Sequence, residues 1–325
     1  MTTEDREQEQ TAPGGDLPPA PSPSPGGYLD AAGQGRSGAG RYLLGTVLVL
    51  LYWQVLGAVV ALAIARAFSP PGTDLSAIAD DLSRPSAFGP LRGFILVNAV
   101  HPFLLLGLFL VVTGIHRRPL RTLVTAEPRV RLGRILEGFA VWFALSALAS
   151  GIDLILAPDS FRFRWDPAAS GTFLLLALAL TPIQTTAEEL FFRGYLMQGL
   201  SLVSRRRIFL AGVSGLLFAL PHLANPEMEI DPVLLPLTYF AIGVLLALLA
   251  LRDGRLELAI GAHAANNLFG ATIVSFEGSI FTTPSLFFTT QYDPLGSLLG
   301  LLVMAAIFYA VFFARADFGG RRRPE

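Results

Sequence analysis

Residues 171–203 read GTFLLLALALTPIQTTAEELFFRGYLMQGLSLV. The stretch is predominantly apolar and exceeds the roughly 20 residues that carry a helix across a bilayer core. Its second half nevertheless holds Glu188, Glu189 and Arg193. A charged side chain at the centre of a spanning helix costs at least about 2.5–3.5 kcal/mol on insertion scales. The cluster must therefore be paired, hydrated or functional, and the chain reads as a membrane protein with polar chemistry inside the bilayer.

Working outward, further apolar runs lie near 42–65, 93–115, 135–157, 208–224, 233–251, 256–276 and 295–314. Composition agrees: 52% of the 325 residues are hydrophobic and 15% charged, against about 25% charged in soluble domains. The expected fold is all-α, a polytopic membrane protein of about eight transmembrane helices around an intramembrane polar cavity. Residues 1–40 are rich in Pro, Gly, Ser, Glu and Gln and poor in large apolar residues. Such a segment buries too little surface to offset its ordering entropy, so it is expected to be a disordered cytoplasmic tail. The helical domain is expected over 41–316, with a short basic cytoplasmic tail at 317–325. There is no cysteine, which excludes disulfides, thiolate metal sites and a cysteine nucleophile. No basic stripe is interleaved with exposed aromatics, so nucleic acid is not an expected partner. HExxH, GxSxG and Walker patterns are also missing.

The arginines mark orientation. Segment 116–134 holds Arg117, Arg118, Arg121, Arg129, Arg131 and Arg134. Arg205 to Arg207 follow the fourth run, Arg252 and Arg255 the sixth, and Arg315 and Arg321 to Arg323 the eighth. Segments 223–232 and 277–294 carry no cationic residue, 158–170 carries two, and 66–92 carries three. The positive-inside rule then places both termini in the cytoplasm, as an even number of spans requires. The expected location is the plasma membrane.

Three polar clusters interrupt the apolar runs. Glu189 and Arg193 are four residues apart and share a helix face, where they can pair; Glu188 is then left for chemistry. Phe218 and His222 have the same spacing, as do His263 and Asn267. If the fourth and fifth helices form a hairpin turning near Ser204, Glu188 and His222 lie nearly level, and His263 can join them in a cavity on the cytoplasmic side. A buried carboxylate can take a proton from water, and a His–Asn pair can donate to an oxyanion at a carbonyl carbon. Glu188, His222 and His263 equally match the His–His–Glu ligand set of catalytic zinc. Metal-bound and metal-free chemistry both stay open. His101, beside Pro102, reads as a kink with a local polar contact.

The ordered string Glu188-Glu189-xxx-Arg193, Phe218-xxx-His222, His263-xxx-Asn267, with EELFFRGYL over 188–196, resembles the three motifs of the CPBP family. These are the CAAX-prenyl-endopeptidase and bacteriocin-processing, or abortive-infection-like, intramembrane proteases. The resemblance covers about 170–275, which would be the protease core. It implies Glu188 as the base, His222 as its partner, and His263 with Asn267 as oxyanion binders, with Glu189, Arg193 and Phe218 supporting them. The implied activity is endopeptidase cleavage near the cytoplasmic side of the membrane. The implied substrate is a membrane-associated or lipidated peptide or protein. A proton-coupled carrier would use similar residues as relays, but the polar set is confined to three runs. A non-catalytic immunity or scaffold protein is the other alternative, and the complete set of motif residues argues against it.

Overall fold

A computed structural model describes residues 27–280 and 283–319, with side chains as far as 314. Each apolar run is helical over most of its length. The elements are α1 Ala39–Phe68, α2 Pro90–Ile115, α3 Leu132–Leu156, α4 Pro167–Leu200, α5 Arg207–His222, α6 Leu234–Asp253, α7 Glu257–Thr272 and α8 Pro294–Gly319. The protein is an all-α polytopic membrane protein; the expected count of eight spans is not reached by length and composition. Among the described residues six helices are long and apolar enough to cross a membrane. The two others, α5 and α7, have 16 residues each, about 24 Å at 1.5 Å per residue, against a core of about 30 Å. α7 is an inner helix, with Glu257 through Ala265 all buried, whereas α5 keeps an exposed apolar face at Ile208, Leu216 and Leu220.

Small residues set the inner packing. In α7, a Cβ on Gly261 would lie 2.7 Å from the backbone nitrogen of Phe139, and one on Gly138 of α3 would lie 2.7 Å from the carbonyl oxygen of Leu258. The two backbones therefore touch, which only glycine permits at those positions. Gly215 and Gly243 do the same for α5 and α6, a Cβ on Gly243 falling 2.8 Å from the Gly215 Cα. Small residues at crossings are how helices associate in lipid, where apolar burial gives no drive.

The connections sort into two ends. At one, Arg134 pairs with Asp253, Arg255 with Glu127 and Arg205 with Asp30, while Arg118 donates to Gln198 at 2.8 Å. The Arg205 guanidinium holds the exposed Asp30 carboxyl below its ordinary range. At the other end, short strands β1 Phe161–Phe163, β2 Val274–Phe276 and β3 Phe287–Thr289 form a sheet in the order β1-β3-β2. β3 runs antiparallel to β1 and parallel to β2. The alternating arginine loops of the sequence are thus gathered in space.

The expected tail at 1–40 lies outside the described residues as far as 26. From Gly27 the chain is ordered: Tyr28–Gly33 is a 3-10 helix with Tyr28, Ala31 and Ala32 buried. The Tyr28 hydroxyl donates to the carbonyl of Arg193 at 2.8 Å, and Arg118 donates to that of Ala31 at 2.6 Å. The average composition of the segment hides this short apolar stretch, so its ordered part was misread.

Candidate active site

The motif side chains converge. Glu188 from α4, Phe218 and His222 from α5, and His263 and Asn267 from α7 line one cavity of about 400 Å³. Glu189 and Arg193 line no part of it and are fully buried behind it. Arg193 donates to Glu189 Oε1 at 2.6 Å and to the carbonyl of Gly243 at 2.9 Å. The glycine contact between α5 and α6 brings that carbonyl within reach. The guanidinium also lies 4.4 Å over the Phe218 ring, a cation–π contact in a dry site. The chain is π-helical over Leu190–Leu196, directly after the two glutamates, a local widening of the kind found at functional sites.

Glu189 also fixes His263, whose Nδ1 lies 2.8 Å from Glu189 Oε1. A carboxylate only accepts, so Nδ1 donates and a neutral ring carries its lone pair on Nε2. That nitrogen lies 3.6 Å from Glu188 Oε2, beyond hydrogen-bond reach. In His222, Nδ1 lies 2.8 Å from the carbonyl of Phe218 and must likewise donate, which turns Nε2 outward as an acceptor. The ring is stacked on Tyr239 with centroids 4.3 Å apart. Tyr239 in turn donates to Glu227 at 2.6 Å. Asn267, on the cavity wall, accepts from Asn266 at 3.2 Å through its amide oxygen.

The nearest partner of Glu188 is one that the sequence reading set aside. His101 Nε2 lies 3.1 Å from Glu188 Oε1, and Gln184 approaches the same oxygen at 3.5 Å. His101 is therefore no local kink contact but part of the site, and no bond joins His222 to Glu188. The signal was present, since an ionisable residue inside a span is a functional candidate by default; His101 belongs to none of the three motifs. Gln184, one turn before Glu188, and the Tyr239–Glu227 pair carried no comparable signal. Glu188 Oε2 is buried and has no hydrogen-bond partner in the protein.

Among the described residues, no three His, Asp or Glu side chains form a group that could hold a metal ion, so Glu188, His222 and His263 as placed do not make the zinc set. Beyond Glu188 and His263 the cavity runs along His222, Asn225, Glu227, Tyr239, Ser279 and Tyr292, all at the arginine-poor end. No residue of 116–134, 198–207 or 252–257 lines it. The cavity extends away from the arginine-rich end: His222 closes α5, about 22 Å from Arg207 at 1.5 Å per residue, and faces the cavity with the middle of α4.

Comparison with known proteins agrees with this arrangement. The family model described as Type II CAAX prenyl endopeptidase Rce1-like matches residues 170–269, the span that supplies every motif residue. The "Uncharacterized protein YyaK" of Bacillus subtilis (strain 168) is 34% identical over 233 residues, which cover 71% of this chain and 78% of that protein. No solved structure matches the chain. With the motifs assembled on three helices and the similarity extending well beyond them, the chain belongs to the CPBP family of CAAX-type intramembrane proteases.

Proposed function

We propose that the protein is an intramembrane endopeptidase of the glutamate type, in which Glu188 activates the attacking water. The observation that carries this is the state of Glu188. One carboxylate oxygen is held by His101, and the other is buried without a protein partner beside His263 Nε2 at 3.6 Å. A base placed so can take a proton from water and later return it to the leaving amine. Carbonyl carbon attack creates an oxyanion, and the amide N–H groups of Asn267, a residue of the cavity wall, are the donors that can stabilise it. His222, with Nε2 outward, orients the water or the leaving group. Glu189 and Arg193 act through their neighbours: they hold His263 in one tautomer and keep Phe218 in place. The substrate is a membrane-associated peptide or protein whose scissile segment enters the cavity, and the plasma membrane is its proposed setting.

The test is a peptidase assay on purified protein in detergent, with cleavage of a peptide mixture followed by mass spectrometry. Asn267→Ala should lower turnover by about 10²–10³-fold at unchanged thermal stability. Turnover should be insensitive to chelators. Loss on chelation with recovery on zinc would overturn the glutamate-type reading, and full activity of Asn267→Ala would remove the oxyanion role.

A further inference from the structure

The cavity and the charge distribution are independent observations, and together they assign a side. The arginine-rich loops, the N-terminal segment from Gly27 and the end of α8 share one end of the helical bundle. By the positive-inside rule that end is cytoplasmic. The cavity runs from Glu188 in mid-bundle to the opposite end, where Pro221 is exposed and Asn225, Ser279 and Tyr292 are half-buried. There is no lining residue on the cytoplasmic loops through which a substrate could pass from that side.

The rim has its own chemistry. Glu229, Glu277 and Asp293 are exposed there, and Asp231 is half-buried with its carboxylate capping the start of α6. Residues 223–233 and 277–294 contain no Arg. Arg66, Arg84, Arg92, Arg162 and Arg164 also stand at this end; Arg162 lies on β1 against β3, and Arg164, just after β1, is stacked 4.1 Å over the Phe288 ring. The cavity lining itself, however, carries the carboxylates Glu188 and Glu227 and no arginine. A cleft lined by one sign of charge, with low-dielectric walls, raises the local concentration of the opposite sign.

We infer that the site is served from the extracytoplasmic face and takes basic, membrane-proximal segments of exported proteins or peptides. The substrate class rests on the peptidase reading above; the side of access does not. The chain has no cysteine, so single cysteines report access directly. Thr238→Cys and Ser297→Cys stand on different walls of the cavity, and Gln34→Cys is an exposed control at the arginine-rich end. The probe is a membrane-impermeant methanethiosulfonate carrying a trimethylammonium group, applied to intact cells and to inverted membrane vesicles. The cavity cysteines should react in intact cells and the control only in inverted vesicles. Each rate being divided by that of the same reagent with a small free thiol, the cationic reagent should outpace a sulfonate reagent of equal length by about tenfold or more. If neither cavity cysteine reacts faster in intact cells than in inverted vesicles, the extracytoplasmic assignment is wrong. Equal normalised rates for the two reagents would remove the preference for basic segments. Activity in detergent has no sides, so the assay of purified protein judges the peptidase reading separately.

Discussion

At the scale of single residues, the site is a division of labour between two adjacent carboxylates. Glu188 and Glu189 differ by about 100° around α4, and that rotation sends one into the cavity and the other into the packed interior. Glu189 accepts from both Arg193 and His263, so it orders the site without touching what enters it. Breaking a buried ion pair by removing one partner leaves an uncompensated charge, which costs about 3–5 kcal/mol. Arg193→Ala should therefore lower stability by that amount, read as reduced abundance and an earlier thermal transition in detergent. Normal stability would mean that the Arg193–Glu189 pair does not hold the inner helices together. The i,i+4 spacing makes this pair legible from sequence alone. The contact between His101 and Glu188 is not, because the two stand on different helices and their approach depends on how α2 packs against α4.

At the scale of elements, α7 is the part that the sequence describes least well. Its apolar run predicts a spanning helix, but the helix is short, buried on all sides and packed backbone to backbone against α3. Hydropathy reports only that a helix avoids water, and a helix enclosed by protein satisfies that as well as one facing lipid. The glycines that permit the contact are visible in the sequence, yet their partners are not. Gly261→Ala tests the packing: the added methyl would meet the backbone of Ile135 and Phe139 rather than a side chain that can turn away. Overpacking of this kind costs about 1–3 kcal/mol. It should also lower turnover, because His263 and Asn267 ride on the same helix. Wild-type stability in Gly261→Ala would show that α3 and α7 are not in such close contact.

At the scale of the whole molecule, polarity is the organising feature. The arginines predict which loops lie together, and the structure gathers them at one end; the cavity extends away from that end, which the sequence alone did not reveal. Counting residues along single helices does not give how far neighbouring helices are shifted along one another. Orientation itself is open to a simple check. Reporter fusions within 223–233 should give an extracytoplasmic signal and fusions near Arg205 a cytoplasmic one, and a reversed pattern would invert the proposed topology. The central claim is narrower than topology and concerns Glu188 alone. The most direct measurement is the turnover of Glu188→Gln against wild type in purified, folded protein. The substitution keeps shape and hydrogen-bonding capacity while removing the base. The account predicts a fall of about 10²-fold or more with the thermal transition nearly unchanged. Cleavage at the wild-type rate by Glu188→Gln would contradict it.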